Sequence, residues 1–543
     1  GDNNQLTATV APANATIKDV AYASSDTTVA VVSAEGLITA VGVGEATVTV
    51  TTVDGGKTAD CIVTVQQAEY PNVMAYGLKL VEADALTVGF NLNAPATEVK
   101  VLAYDTLGTE YVVATAANLA PEYQTLAINT DELPAGTYTW AVKANGVEDE
   151  EMFEPVLVHA YTTPKFVKPR GVAMDNNYNS PYFGQIYVAD AGSTVENAGL
   201  YIFDPVLTGD GEIYTSGWSA APASPMRPFV GEDGLVYITD WSDNEGNIHI
   251  FDPAYPDSNR VVFGGTFSGA GGVWNTEDGE YIHGSMSSCY VTGTGADRVL
   301  YTFDEDYTPK VGHSMCMLRY NIGALQAPWN AAPSAVAYNN ADKFEQNGDS
   351  KIIPSVMGGW WISQDRAADS HEIPALIHVA ADSTVNYNSG GSHGGRTRGA
   401  LAFNEDQTIC VTAADNAIRV WTVEWSADSV PTLTPDQGIT TTFGSQNSSS
   451  CYDIAIDRAL NVYATGDNKP LCIWALVKDE NSCITPAADA LTFTVEEKKD
   501  ALDNVTAQKV LSGVYDLIGR YLGETVDNLP KGVYIVNGEK VIK

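Results

Sequence analysis

The side chains best able to bind or react stand at the borders of short apolar runs. Arg170, Arg227 and Arg398 each precede such a run, whereas Asp190 and Asp240 each close one. Guanidinium and carboxylate groups at matching positions can recognise a polar ligand by charge-assisted hydrogen bonds, or tie neighbouring elements together as ion pairs. Both readings stay open from the sequence. The Gly/Ser-rich stretch Asn388-Ser389-Gly390-Gly391-Ser392-His393-Gly394-Gly395-Arg396 adds His393 and Arg396 to the group, and flexible connections of this kind often carry binding residues. Trp241, Trp360 and Trp361 supply flat rings near strand ends, which suits sugars and protein interfaces, with core packing as the competing reading.

Reactive and metal-binding patterns are sparser. Gly390-Gly391-Ser392-His393-Gly394 has the letters of a nucleophile elbow, but no apolar strand leads into it and no helix follows, so it reads as a chance match. The seven histidines, His159, His249, His283, His313, His371, His378 and His393, lack the spacing of a linear metal motif. Asp240-Trp241-Ser242-Asp243-Asn244-Glu245-Gly246-Asn247 gathers oxygen ligands for a calcium ion without the full EF-hand order. No other cofactor is expected. A glycosidase pair cannot be chosen among 68 acids without distances. Seven cysteines form no C-x-x-C pair, and Cys289/Cys316 and Cys472/Cys483 are the pairings open to a disulfide.

The chain has 543 residues, too many for one core, so several domains are expected. Its 29 basic and 68 acidic side chains give a formal charge of −39, which argues against nucleic acid or an anionic membrane as partner. Neutral ligands or cations fit better. No run approaches the roughly 18 apolar residues of a membrane span, so direct membrane insertion is not expected. A monomer is.

Short alternating runs of Val, Ile, Thr and Tyr between Gly, Asn, Asp and Pro clusters predict an all-β chain. Between 166 and 497 one pattern recurs, with inner strands beginning at Arg170–Asp175, Arg227–Val230, Gly271–Asn275, Ser334–Tyr338, Arg398–Phe403 and Tyr452–Asp457. Repeats of this length suit four-stranded blades stacked radially, hence a six-bladed β-propeller, with 300–327 leaving room for a seventh. First-strand starts and second-strand ends share one propeller face. The expected ligand surface is therefore Arg170, Asp190, Arg227, Asp240, Trp241, Trp360, Trp361, His393, Arg396 and Arg398.

Three resemblances extend this reading. Residues 1–68, with Gln5–Pro12, Val29-Ala30-Val31-Val32, Gly36–Ala40 and Gly44–Val50, resemble the bacterial immunoglobulin-like group 2 module, with Val29/Val31, Ile38 and Val48/Val50 expected inward. Residues 69–165, with Leu133-Pro134-Ala135-Gly136-Thr137-Tyr138, resemble fibronectin-type spacers, and 166–497 resembles the broad class of NHL- and WD-like propellers. After a charged linker at 498–506, residues 507–543, with Leu529-Pro530-Lys531-Gly532-Val533-Tyr534, resemble the sorting-type C-terminal β-modules of proteins secreted by Gram-negative anaerobes. These resemblances imply an extracellular or outer-surface location and a glycan or cell-surface protein as partner. The expected function is non-catalytic binding or adhesion. The alternatives are a propeller lyase, glycosidase or lactonase using Arg170, Arg398, His393 and Asp190, or a purely structural surface component.

Overall fold

The computed structural model describes residues 3–65, 70–81, 86–147, 156–161, 168–192, 198–206, 212–214, 224–240, 247–256, 260–261, 273–275, 280–283, 286–304, 316–324, 335–339, 350–364, 374–393, 397, 399–414, 417–440, 451–466, 469–476, 481–497, 513–517, 520–537 and 539–543. Among them the only helical element is the short 3-10 turn Gly295–Asp297, and no helix is long and apolar enough to cross a membrane. The chain divides into two compact units, Gly1–Tyr70 and Pro71–Lys543.

The first unit is a sandwich of two three-stranded sheets. One has Asn3–Gln5, Leu37–Ala40 and Ala30–Val32 in spatial order, and the other Val20–Ser24, Gly44–Thr52 and Thr58–Val65. Val29, Ala30, Ile38, Ala46 and Val48 form its core. Val31 departs from the expected inward set at 39% exposure. Side chains alternate along a strand, and the inward phase falls on Ala30 and Val32.

In the second unit, six sheets have the blade pattern. Blade 1 pairs Pro169–Met174, Ile186–Asp190, Gly199–Phe203 and Glu212–Tyr214; blade 2 pairs Pro228–Val230, Val236–Asp240, Asn247–Phe251 and Arg260–Val261. Blade 3 runs Met286–Thr292, Val299–Asp304, Cys316–Asn321, Ala335–Asn339, and blade 4 Lys351–Pro354, Trp360–Ser363, Leu376–Val379, Val385–Asn388. Blade 5 is Leu401–Phe403, Ile409–Ala414, Ala417–Trp425 and Pro431–Thr440. Blade 6 takes Cys451–Ile456, Asn461–Gly466 and Lys469–Ala475 from the end of the ring, and its outermost strand, Val156–Tyr161, from before blade 1. The first and last blades are thereby locked together, and the described residues form six blades.

Two expected inner strands are corrected. Ala335–Asn339 is the outer strand of blade 3, and Val273–Asn275 pairs only with Glu280–His283 in a separate two-stranded sheet. The true inner strands there are Met286–Thr292 and Lys351–Pro354. The described residues of 300–327 belong to the second and third strands of blade 3 and the turn after them, and none of them to a seventh blade. Neither of the two pairings that the sequence left open to a disulfide is made. Cys289 lies two strands from Cys316, with Val299–Asp304 between and a two-residue offset in register, so more than about 9 Å separates their backbones, too far to bridge. Cys483 belongs to a different sheet from Cys472.

That different sheet completes the second sandwich. Its strands Glu110–Leu119, Ala96–Tyr104 and Gly136–Asn145 are continued by Ser482–Pro486, while Phe493–Val495 pairs with the start of Gly136–Asn145. The opposing sheet holds Tyr123–Ala127, Thr87–Leu92 and Ala75–Leu80. Phe90, Val101, Tyr138, Trp140 and Phe493 fill the space between. The sequence reading placed 482–495 with the ring and 156–161 with the sandwich; the pairings place each with the other. The ring is thus inserted into the sandwich. Asn72 secures the junction, its amide N–H donating to Asn461 Oδ1 at 2.7 Å and its Nδ2 to the carbonyls of Ala459 and Leu476, both at 2.9 Å. At the end of the chain, a four-stranded sheet orders Tyr521–Gly523, Val514–Tyr515, Val533–Val536 and Glu539–Ile542.

Candidate functional site

The inner strands meet around a charged cluster on the ring axis. Arg227, 2% exposed just ahead of the blade 2 inner strand, donates through NH1 to the carbonyls of Ser287 (2.9 Å) and Ser350 (3.0 Å), and through NH2 to that of Tyr452 (3.0 Å). One guanidinium thereby joins blades 2, 3, 4 and 6. Its Nε stands 3.6 Å from the Asp453 carboxylate. Asp453 is fully buried and also accepts from the Val172 amide at 3.0 Å and from Lys351 Nζ at 2.7 Å. Lys351 gives a second N–H to the Ile454 carbonyl at 2.9 Å. Burial pulls the Lys351 pKa below its ordinary value; Asp453 opposes this shift and Arg227 adds to it.

The close approach needed for this cluster is written into Gly171. A Cβ there would lie 2.4 Å from the Met226 carbonyl oxygen and 2.7 Å from Arg227 Cα. Any larger residue would force blades 1 and 2 apart where Arg227 crosses the axis.

Beyond the cluster the channel widens into a cavity of about 660 Å³, lined by all six blades. Arg227 and Lys351 contribute to its inner wall, and the turns after the first strands, with Asn177, Glu232, Asn404 and Arg458, form its rim. Phe229, Tyr290 and Phe403 provide the aromatic wall, with the first two rings 4.8 Å apart. Burial raises the Tyr290 pKa above its ordinary value. Asn176 donates through Nδ2 to the Ile456 carbonyl at 2.8 Å, which fixes the amide's orientation and leaves its buried Oδ1 without a partner. At the rim Arg458 pairs with Glu405 and lies over the Tyr178 ring, while Glu232 accepts from Thr292 Oγ1 and the Gly293 amide, both at 3.3 Å.

Apart from Arg227, the expected site residues that are described lie away from this cavity. Arg170 covers the Tyr452 ring at 4.7 Å. Asp190 is buried and accepts from the Lys168 and Gly192 amides at 2.5 and 3.1 Å, fixing the loop ends. Asp240 is buried between Ser224 and His249. Ser224 and His249 both bond to the carboxylate, so the imidazole is not placed as a base on the hydroxyl as a Ser-His-Asp triad requires. Trp361 is wholly buried in the core shared by blades 4 and 5, and Trp360 packs against Tyr290 and Tyr301. His393 stacks on Trp421 and its Nε2 lies 2.9 Å from Thr412 Oγ1. Trp241, Arg396 and Arg398 lie outside the described residues, as does Trp241–Gly246 of the expected calcium loop.

Of the seven expected residues that are described, Arg227 alone lines the cavity. Lys351, Asp453, Phe229, Tyr290, Phe403 and Asn176 escaped the sequence reading. Asp453 carried a usable signal, a lone acid within the apolar strand Cys451–Ile456, because a charge in such a strand needs a partner. Among the described residues no group of three or more His, Cys, Asp or Glu side chains could hold a metal ion.

Comparisons with known proteins complete the description. Over 77 residues, 14% of this chain, it is 46% identical to an α-L-arabinofuranosidase of Bifidobacterium longum subsp. longum; the match spans 7% of that enzyme. Among solved structures, it is similar to an auxiliary nutrient binding protein from Bacteroides thetaiotaomicron, at 10% identity and TM-score 0.36 over 72% of this chain and 94% of the other. It is also similar to a streptogramin B lyase, at 9% identity and TM-score 0.33 over 59% and 97%. Residues 1–63 match the family model of the bacterial Ig-like domain (group 2), and this N-terminal module belongs to that family.

Proposed function

We propose that this protein is an extracellular, non-catalytic binding protein whose propeller holds a glycan in the channel cavity, on the side of the turns that follow the inner strands. The cavity carries the reading. Its volume of about 660 Å³ falls within the roughly 300–1,000 Å³ of small-molecule sites. Three aromatic rings suit the apolar faces of sugar rings, and the Asn176 Oδ1 acceptor suits a hydroxyl. The Ig-like module serves as a spacer, and the last 37 residues as a sorting-type module that delivers the protein to the surface of a Gram-negative cell.

Hydrolysis is less well supported. Glu232 is the only carboxylate among the described lining residues, and its contacts are with a hydroxyl and an amide at the rim, whereas glycoside hydrolysis ordinarily uses two carboxylates flanking one bond. A glycan array followed by calorimetry on the full chain tests the proposal. Phe229→Ala and Tyr290→Ala are expected to weaken binding about tenfold each, with no new reducing ends released from bound polysaccharide. Unchanged affinity in both variants overturns the cavity as the site, and released reducing ends overturn the non-catalytic assignment.

A further inference from the structure

We infer that the cavity takes the free end of a glycan chain and excludes the chain's interior; this rests on the cavity being the glycan site.

The inner end is shut. The Arg227 guanidinium crosses the axis from blade 2 to carbonyls of blades 3, 4 and 6, and the Asp453 carboxylate of blade 6 accepts from the Val172 amide of blade 1. Blade 5 adds Ala400 and Leu401 at the same level, both 0% exposed. Ser287, Ser350 and Asp453 are no more than 1% exposed, so the described inner strands leave no solvent path past the cluster. A chain threaded through the ring would break the three Arg227 bonds and strip a buried carboxylate of its partners, a cost that sugar hydrogen bonds of ordinary strength do not offset.

Exposure rises in the other direction. In blade 2 Arg227 and Pro228 are buried, Phe229 and Val230 half-buried, and Glu232 exposed; blade 5 repeats the gradient from Leu401 and Ala402 through Phe403 and Asn404 to Glu405. Among the described residues the cavity therefore opens only at the turns after the inner strands. The inner strand of blade 4, Lys351–Pro354, gives it a depth of about 10 Å. An interior segment would have to enter and leave through the same mouth, doubling back within that depth. The volume of about 660 Å³ suits one drug-sized ligand rather than two lengths of chain side by side. A chain end needs no reversal: its last ring lies against Phe229, Tyr290 and Phe403 while the rest of the chain leaves past the rim.

Counting proteins per chain tests this. Linear α-1,5-arabinan, β-1,4-galactan and amylose are titrated calorimetrically into the full chain beside arabinotriose, galactotriose and maltotriose, with chains counted by their reducing ends. Each sugar that binds is expected to take up about one protein per chain at both lengths, because a chain presents one end of the matching kind. On the glycan array, a sequence that binds at the outer end, such as N-acetyllactosamine, is expected to lose about tenfold or more of its signal when one further sugar, such as sialic acid, caps it. A stoichiometry that climbs with chain length, or a signal that survives capping, overturns end selection; if Phe229→Ala and Tyr290→Ala still weaken binding, the cavity stands as a site for interior segments. Unchanged affinity in both variants overturns the cavity reading and this inference with it, as does a panel without binding together with a blank array.

Discussion

Asp457, in the turn that closes the first hairpin of blade 6, sets the pH behaviour of this part of the ring. It accepts from the Ala459 and Asn461 amides at 2.9 and 2.8 Å, from Asn461 Nδ2 at 2.8 Å and from the Tyr463 hydroxyl at 3.1 Å. Burial nevertheless dominates those bonds and pushes its carboxyl from 3.8 up to about 6. A folded-state pKa above the unfolded value means the native state binds the proton more tightly. The stabilisation is complete below the unfolded value and is lost as pH rises through about 6. Urea unfolding of the native protein against Asp457→Asn should show the wild type losing about 2.4 kcal/mol relative to the variant between pH 4 and pH 7. A difference independent of pH would contradict this assignment. Arg227 is the second telling residue. Arg227→Met leaves the buried Asp453 carboxylate and three carbonyls short of donors, and should cost about 3–5 kcal/mol, read as a lower thermal midpoint. Its place at a strand start was legible in the sequence. Its role across the axis was not, because the partners lie 60 to 225 residues further along the chain.

At the level of elements, the ring depends on inner strands that approach closely. Gly171→Ala drives a methyl group toward the Met226 carbonyl and should destabilise the protein by about 1–3 kcal/mol, measured by urea unfolding; an unchanged midpoint would mean that blades 1 and 2 yield freely there. The strand periodicity revealed the blade count, yet it misplaced two inner strands. Ala335–Asn339 alternates as an inner strand does, and period-two alternation is common to every strand of a blade. The true inner strand Lys351–Pro354 opens on a lysine and ends on a proline, a poor strand signature in isolation. It is held instead by Lys351 bonding across the axis and by the Ile352 amide donating to Ser288 Oγ at 3.2 Å. Phe229, Tyr290 and Phe403 escaped the site prediction for a related reason. A single aromatic residue in a strand has the same pattern whether it faces a core or a cavity, and only ring closure distinguishes the two.

The molecule as a whole links a ring to the sandwich into which it is inserted. The sandwich strand Gly136–Asn145 takes its partners from beyond the ring, at Ser482–Pro486 and Phe493–Val495, so both ends of the propeller are anchored in one body. Asn72 is the polar bolt of that junction, and Asn72→Ala, which leaves the Ala459 and Leu476 carbonyls without its donors, should lower stability by about 2–4 kcal/mol. The association of ring and sandwich was not legible from the sequence because it is formed by strands over 300 residues apart. The central claim is that the axial cavity, with its aromatic wall, is where this protein holds its ligand. It is tested most directly by a crystal structure of the full chain soaked with a glycan that the array identifies. Sugar density between Phe229, Tyr290 and Phe403 is the predicted result; density on the opposite propeller face, or an unfilled cavity, would contradict the account.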